Sequence, residues 1–180
     1  PSEVKFDGYR VMVRMEKGRA TIITRGGHDW SAKMPVLVKA IEKLGVKQAW
    51  LDGEIVVLDD KGVPSFNALQ KAFDHSVLNA DIVLFLFDVP FFEGYDLREA
   101  QLIHRRQLLE ALLQEKASEH VRYSAAFEAD PASILMSACR MNLEGVIAKR
   151  SDAPYVSRRT ETWLKLKCQQ RQEFVVCGYT

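Results

Sequence analysis

The chain has 180 residues and a mass of 20.5 kDa, a length that suits one domain, or one domain with the beginning of another. Lysine and arginine total 25 and aspartate and glutamate 24, so the formal net charge of +1 excludes a uniformly basic protein that coats nucleic acid. Hydrophobic residues make up 47% and charged residues 27%, a composition that excludes intrinsic disorder. No apolar run approaches the roughly 18 residues that a membrane span needs.

Alternating apolar and polar residues, β-rich runs such as 49–58 and the nearly continuous apolar run at 82–89 predict strands. Apolar residues three or four positions apart predict helices. In chain order, the predicted strands are 11–16, 20–24, 49–58, 82–89, 121–124, 145–149, 162–167 and 173–179. The predicted helices are 35–44, 65–73, 97–115 and 131–142. Gly45 is placed to end the first helix, and Asp130-Pro131 supplies an N-cap followed by a proline at the first helical position. Strand pairs with short turns, together with these helices, predict an α+β fold with antiparallel sheets.

The cysteines and histidines give no metal or disulfide pattern. Cys139, Cys168 and Cys177 are an odd number at spacings that fit neither a zinc site nor a disulfide framework, so we expect reduced, packed thiols. The four histidines are scattered, without an HExxH pair, and none stands out as catalytic.

Positive charge collects near the carboxyl terminus. Residues 149–171 contain seven basic and two acidic side chains, a local charge of +5. A solvated basic face is the ordinary interpretation of such a run. However, Lys165 and Lys167 alternate with leucines on a predicted strand, which directs both ammonium groups to one face. An anion between them, phosphate being the obvious candidate, would remove their mutual repulsion.

The segment Lys5-Phe6-Asp7-Gly8-Tyr9-Arg10 connects a strand end to a strand start. Gly8 permits a tight backbone there, which we expect to return Arg10 beside Lys5. Taken alone, this pattern is also compatible with a surface turn that carries two cations. It is followed in order by Thr24-Arg25-Gly26-Gly27, Leu51-Asp52-Gly53-Glu54, Leu86-Phe87-Asp88-Val89, Glu144-Gly145-Val146-Ile147-Ala148-Lys149 and Trp163-Leu164-Lys165-Leu166-Lys167.

Six collinear motifs over residues 3–168 resemble the covalent nucleotidyltransferases, the superfamily of ATP-dependent DNA ligases, RNA ligases and mRNA capping enzymes. Further stretches are most similar to the ligase domain of bacterial ligase D: Phe66-Asn67-Ala68-Leu69-Gln70, residues 144–150 leading to Pro154-Tyr155, and residues 173–180. The resemblance implies an adenylation domain at 1–168 with two mainly antiparallel β-sheets flanked by helices. It also implies that this domain is truncated at its amino terminus and that 169–180 begins an otherwise missing OB-fold.

In that family a lysine attacks the α-phosphate of ATP, forms a lysine–AMP phosphoramidate and releases pyrophosphate. The AMP then passes to the 5′-phosphate of a DNA nick, and a 3′-hydroxyl displaces it to seal the strand. By resemblance, Lys5 is the nucleophile. Because a free lysine has a pKa of about 10.4, it needs partial desolvation or nearby cations to become nucleophilic at neutral pH. Lys165, Lys167 and a divalent ion are the expected cations, and they would also stabilise charge on the leaving pyrophosphate.

The resemblance also assigns a nucleotide site. Glu3 is expected to contact adenine beside Val4, and Phe87 to stack on the base, although a plain core phenylalanine remains an alternative. Arg10 and Arg25 would hold ribose and phosphate oxygens. The remaining expected contacts are Glu54 with the ribose, Lys149 with nucleotide or backbone phosphate, and Lys165 and Lys167 with the α-phosphate.

Two carboxylates are expected to bind the metal. Glu54 and Glu144 offer oxygen ligands, which suit Mg²⁺ or Mn²⁺ rather than zinc, so ATP with magnesium or manganese is the predicted cofactor pair. Asp7, Asp52 and Asp88 are interpreted as structural neighbours of the site rather than as catalysts.

The resemblance implies an enzyme of DNA repair by non-homologous end joining, placed in the bacterial cytoplasm at the nucleoid and away from membranes. Its implied partners are nicked or broken double-stranded DNA, the missing OB-fold, polymerase and phosphoesterase domains of the parent chain, and an end-bridging protein. We expect the 180 residues to keep the adenylate pocket but to be weak or inactive in full nick sealing.

Two alternatives stay open from the sequence. A GTP-dependent capping enzyme or an RNA ligase shares the first motif. A non-catalytic nucleic-acid-binding module would use the basic segment at 149–171, but it leaves Lys5, Glu54 and Glu144 unexplained as a set.

Overall fold

The computed structural model describes residues 1–73, 82–116, 118–158 and 160–168, which contain ten strands and four α-helices. The strands are β1 (Ser2–Lys5), β2 (Tyr9–Glu16), β3 (Arg19–Thr24), β4 (Gln48–Val57), β5 (Ile82–Phe92), β6 (Tyr95–Asp96), β7 (Val121–Tyr123), β8 (Ala126–Phe127), β9 (Gly145–Lys149) and β10 (Trp163–Lys167). The helices are α1 (Pro35–Glu42), α2 (Phe66–Phe73), α3 (Leu102–Lys116) and α4 (Pro131–Arg140), with a short 3-10 helix at Ser31–Lys33. The predicted strand at 173–179, the predicted OB-fold start at 169–180 and Cys177 lie outside the described residues.

The strands form two sheets. The four-stranded sheet has the order β10-β9-β1-β8 and is antiparallel throughout. The six-stranded sheet has the order β3-β2-β4-β5-β6, and β7 adds to β5 as a parallel neighbour. Two mainly antiparallel sheets with helices confirm the predicted α+β fold class.

Several elements differ from the prediction, and three of these differences have clear local reasons. The third helix begins at Leu102 rather than at 97, because the Asp96 carboxylate accepts the Arg98 backbone N–H at 3.0 Å and favours a turn. β5 extends to Phe92, because a turn at Glu93 and Gly94, both with positive φ, returns the chain to pair as β6. The short strand β8 has no two-residue alternation long enough to be predicted.

Most apolar burial belongs to the six-stranded sheet. A cluster of 23 buried residues, among the described part of the chain, packs one face of that sheet against the first three helices. A second cluster contains Ile134, Ala138 and Val146 and joins α4 to β9. The four-stranded sheet therefore buries little apolar surface, and its other face is available to the cleft described below.

The cysteine expectation was wrong for two residues. Cys139, near the end of α4, and Cys168, directly after β10, form a disulfide with a Cα–Cα distance of 5.4 Å. The sequence spacing of 29 residues gave no sign of this pairing, because β9 and β10 bring the end of the strand pair back beside the helix. Among the described residues, no helix is both long and apolar enough to cross a membrane.

Candidate active site

A cleft between the two sheets gathers most of the predicted site residues. Its walls come from β1, β9 and β10 on one side and from β2, β4 and β5 on the other. The lining residues are Glu3, Val4, Lys5, Phe6, Arg10, Glu54, Phe87, Ser124, Ile147, Lys149, Trp163 and Lys165. Eight of the predicted nucleotide-site residues, including Lys5, therefore meet in one place although they span most of the sequence.

Strand register explains how the four-stranded sheet presents its charged side chains. Glu3 on β1 pairs with Ile147 on β9, which pairs with Lys165 on β10. In the next row of the same face, Lys5 pairs with Gly145, which pairs with Lys167. Because directly opposite residues share a face and alternate residues return to it, these side chains stand on one side of the sheet. The expectation that Lys165 and Lys167 share a face is confirmed.

The opposite face of β10 is not uniformly buried as the alternation suggested. Val146 on β9 is fully buried against α4, but Leu164 on β10 is 59% exposed. β10 is an edge strand of its sheet, so nothing in the described chain covers Leu164.

Lys5 leaves the end of β1 just before a tight turn. A side chain at Gly8 would place its Cβ 2.1 Å from the carbonyl oxygen of Ile55, so only glycine allows this turn to lie against β4. The Lys5 side chain is 14% exposed, and its ammonium group is paired with the Glu144 carboxylate. The turn thus delivers a largely buried lysine to the edge of the cleft.

Glu144 lies between two lysines. Besides Lys5, it has Lys167 Nζ 3.8 Å from its Oε1. Gly145 follows it with a φ of 152°, and a Cβ there would lie 2.0 Å from the Leu166 carbonyl oxygen. Close approach of β9 and β10 at this glycine sets Glu144 beside both cations, so a carboxylate lies between Lys5 and Lys167.

Arg10 lines the same cleft as Lys5 but points to a different partner. Its Nε and Nη2 donate to the two oxygens of Asp52 at 3.0 and 2.6 Å, and Tyr155 Oη donates to Asp52 at 2.8 Å. Asp52 sits at a break in the regular register between β4 and β5, where it faces Asp88. Arg10 and Lys5 thus line the same cleft, as expected, and a buried carboxylate holds the Arg10 guanidinium.

Glu54 has an unusual electrostatic position. Burial raises its pKa from an ordinary 4.5 to about 7, although the charges of Lys5 and Arg10 oppose that rise. Asp52 and Glu144 add to the rise, since like charges disfavour a further carboxylate. Burial and Glu144 likewise raise the pKa of Asp7. The site therefore holds a carboxyl group that can gain or lose a proton near neutral pH.

Glu3 is buried at the floor of the cleft and is 2% exposed. Its Oε1 accepts from Arg106 Nη1 at 2.5 Å and lies 2.8 Å from Lys149 Nζ. Its Oε2 accepts from the Ser124 hydroxyl at 3.1 Å. Burial lowers the pKa of Lys149, while Glu3 opposes that shift. Lys149 thus serves in this structure as a buried counter-ion of Glu3.

The aromatic part of the cleft is formed by Phe87 and Trp163. The two rings meet edge to face with centroids 5.8 Å apart, and Lys149 Nζ lies 4.4 Å from the Phe87 centroid and 4.0 Å from that of Trp163. Cations over ring faces are attracted by the ring quadrupole. Phe87 is 7% exposed, so it is both a buried residue and a wall of the cleft.

Arg25 lies apart from the other predicted residues. It is exposed at the end of β3 and lines an adjoining cleft that shares Arg10, Trp163 and Lys165 with the first. Arg158 and Tyr155 lie on the same adjoining cleft. The two clefts form one continuous surface, with Arg10 at their junction.

The acidic residues fit a magnesium-type site of limited size. Glu54 and Glu144 interact electrostatically and both offer oxygen ligands. In the described residues, no three His, Cys, Asp or Glu side chains are grouped as a metal cage. Mg²⁺ is commonly bound by one or two carboxylates together with substrate phosphates and water, so this donor set is compatible with it.

Sequence reasoning missed the buried arginines of α3. Leu102, Arg105, Arg106, Leu109 and Leu113 are the buried residues of that helix and follow helical spacing. Two arginines at positions where the pattern requires apolar residues were a usable signal of buried acidic partners. Arg105 binds Asp88 through two hydrogen bonds of 2.7 and 3.0 Å, which agrees with the structural role expected of that aspartate.

Comparisons with known proteins identify the family. The chain is 51% identical to the multifunctional non-homologous end joining protein LigD of Pseudomonas aeruginosa over 99% of its own length, but spans only 21% of that protein. A mycobacterial DNA ligase D complexed with ATP and MES matches with a TM-score of 0.82 and 33% identity over 92% of this chain and 53% of the other. The ligase domain of Mycobacterium tuberculosis LigD gives the same score and identity, covering 92% of this chain and 54% of its own. Since the family profile of the ATP-dependent DNA ligase domain matches residues 1–167, the chain belongs to the family of ATP-dependent DNA ligase domains.

Proposed function

We propose that this chain is the catalytic domain of a DNA ligase in which Lys5 becomes covalently linked to AMP. The observation that carries the proposal is the placement of Lys5, a largely buried lysine at the edge of a cleft that also holds Glu3, Glu54 and Phe87. Family membership supports the use of ATP. The structure of a mycobacterial DNA ligase D complexed with ATP supports the use of ATP further, because that protein is 33% identical to this chain.

In the first step, Lys5 Nζ forms a bond to the α-phosphorus, and the bond from that phosphorus to the pyrophosphate oxygen breaks. The departing pyrophosphate takes the electron pair of the broken bond. The ammonium group of Lys5 must first leave Glu144 and lose a proton. That proton passes to solvent, since Glu54 is assigned to the divalent cation. Lys165 and Lys167 share the face of Lys5 and are placed to stabilise negative charge on the phosphates.

Glu54 and Glu144 would hold a divalent cation, Mg²⁺ or Mn²⁺. Such an ion supplies positive charge to the phosphate oxygens of the nucleotide. It would also compete with Lys5 for Glu144, which favours release of the lysine. Phe87 on β5 and Ile147 on β9 line opposite walls of the cleft and would contact the two faces of the adenine ring. Lys149 would act through Glu3 rather than on phosphate.

We propose nicked or broken duplex DNA as the second substrate and end joining as the cellular process. The bacterial relatives named for non-homologous end joining support this process. A location in the bacterial cytoplasm at the nucleoid is part of the same proposal. The continuous cleft with Arg10, Arg25 and Arg158 is the proposed place of the nicked strand. An OB-fold after residue 168, polymerase and phosphoesterase domains and an end-bridging protein remain proposed partners.

The decisive experiment incubates the chain with α-labelled ATP and magnesium and measures label retained on the denatured protein. We expect an adduct of one AMP by intact mass, and none in Lys5→Ala. Lys17→Ala, which removes an exposed turn lysine, is the matched control and should be labelled normally.

Equal labelling of Lys5→Ala would contradict the assignment of the nucleophile. Labelling by GTP but not by ATP would instead support a capping enzyme. Salt-sensitive DNA binding without any labelling would support the non-catalytic alternative.

A further inference from the structure

Arg106 joins two parts of the cleft that belong to different sheets. Its Nη1 donates to Glu3 Oε1 on β1 at 2.5 Å and to the Phe87 carbonyl oxygen on β5 at 3.3 Å. Its Nη2 donates to the Ser124 carbonyl oxygen at 2.7 Å. The same guanidinium lies 4.9 Å from the centroid of the Tyr123 ring. One planar group thus fixes the carboxylate of Glu3 relative to the backbone of Phe87.

The burial of this arginine makes its contacts costly to rearrange. Its side chain is 3% exposed and that of Glu3 is 2% exposed. A buried charge that loses its partner is strongly disfavoured, so each group constrains the other. Lys149 also neutralises Glu3, but its ammonium is a point charge without the fixed geometry of a guanidinium fork.

Glu3 retains room for one more donor. A carboxylate offers about four acceptor positions, and the contacts with Arg106, Lys149 and Ser124 use two on Oε1 and one on Oε2. The remaining position is on Oε2, and Glu3 lines the cleft. The 6-amino group of adenine is a donor, whereas guanine carries an acceptor oxygen at the same place. An ionised, fixed Glu3 would therefore accept adenine and repel guanine.

We propose that Arg106 is the positioning residue for base selection, because it holds the carboxylate that reads the 6-amino group in register with the strand that carries the stacking ring. The inference rests on the proposed function, in which adenine binds beside Glu3 and Phe87. Arg106 touches neither nucleotide nor phosphate in this arrangement. Its effect is expected on the choice between nucleotides rather than on the reaction at Lys5.

The test compares the affinities for ATP and for purine riboside triphosphate, which lacks the 6-amino group. Equilibrium titrations are made in a Lys5→Ala background so that no covalent chemistry interferes. We expect the Lys5→Ala protein with Arg106 intact, which is the parent in this test, to bind ATP roughly 10-fold or more tightly than purine riboside triphosphate. This is the effect of one hydrogen bond to a charged group. Arg106→Met should bring that ratio close to one, and Arg106→Lys should give an intermediate ratio.

Arg105→Lys is the matched control, because Arg105 is the neighbouring buried arginine and binds Asp88 instead of Glu3. It should lower the midpoint of thermal unfolding yet leave the ATP preference unchanged. If Arg106→Met does not fold, Arg106→Lys decides the question by its ratio alone.

An unchanged ratio in the Arg106 variants, or no ATP preference in the parent, would overturn the inference. Neither result concerns the AMP adduct on Lys5, which is measured separately by labelling. Loss of that adduct with a retained ATP preference would instead overturn the proposed chemistry and leave the positioning role standing.

Discussion

The six-stranded sheet rests on 23 buried core residues, whereas the cluster behind the four-stranded sheet contains only Ile134, Ala138 and Val146 among the described residues. The smaller sheet nevertheless carries Lys5 and presents Lys165 and Lys167 on the same face. It is joined to the larger sheet by charged contacts, chiefly those of Arg106, and to α4 by the disulfide.

The comparison shows a division of labour between apolar burial and charge. The larger sheet supplies stability and a rigid wall with Arg10, Glu54 and Phe87. The smaller sheet supplies most of the charged groups, and those that are buried, such as Glu3 and Lys149, are paired with opposite charges rather than enclosed in an apolar core. Substitutions in the larger sheet should therefore change stability, and those in the smaller sheet should change chemistry.

The largest effect is expected from Leu51→Ala in β4, where the side chain is fully buried. Deletion of a buried leucine costs about 2–5 kcal/mol of unfolding free energy, measured by denaturant titration. Val146→Ala in the smaller sheet should cost roughly 2 kcal/mol, because it removes less apolar volume from a smaller cluster. Equal losses at the two sites would contradict the comparison.

Reduction of the disulfide between Cys139 and Cys168 should cause the next largest loss of unfolding free energy. Its two cysteines are 29 residues apart, and closing a loop of that length stabilises a fold by roughly 3.6 kcal/mol. Cys139→Ser should lose this amount in oxidising buffer, and a reductant should then change the variant no further. A parent chain that unfolds identically with and without reductant would show that this bond does not stabilise the smaller sheet.

Lys167→Ala should slow labelling by ATP by about 10²-fold, because an electrostatic partner of the phosphates is lost. Its side chain is 67% exposed, so the unfolding free energy should change by less than about 0.5 kcal/mol. Lys17→Ala, also at an exposed lysine, should change neither quantity. The rate comes from single-turnover labelling, and a stability loss without a rate effect would reverse the assignment of this strand.

The smallest effect concerns Glu54, the carboxyl group that the larger sheet contributes. Burial raises its folded pKa to about 7 from 4.5, so the folded protein binds a proton that the unfolded chain releases between these values. Stability due to this group is therefore lost as the pH rises through that window. Glu54→Gln should match the parent near pH 4 and exceed it at pH 8 by an order of 2 kcal/mol or less.

The measurement for Glu54 is the unfolding free energy of parent and variant across this pH range. If the unfolding free energies of parent and variant ran parallel across the pH range, Lys5 and Arg10 would already compensate the buried charge of Glu54. Glu54→Gln should also slow the labelling reaction, which separates its role in chemistry from its cost in stability.

Much of the fold followed from local patterns. Two-residue alternation located β2, β-rich and continuous apolar runs located β4 and β5, and the N-cap at Asp130 located α4, because all of these depend on neighbouring residues only. The order of the motifs likewise predicted the residues of the cleft. The start of α3 was missed, because the Asp96 side chain accepts a backbone hydrogen bond and forms a turn there. The strand β6 was missed, because it depends on a turn at Glu93 with positive φ.

The sequence by itself determined the fold class, the family and most of the charged residues at the site, Arg106 excepted, because strand periodicity and motif spacing are properties of the linear chain. The partners of those charges were decided only by the tertiary structure. Glu144 meets Lys5, Arg106 meets Glu3 and Cys139 meets Cys168 through strand pairing and helix packing between distant segments. Which buried charge pairs with which depends on three-dimensional register, and electrostatic energy then selects the neutralising arrangement.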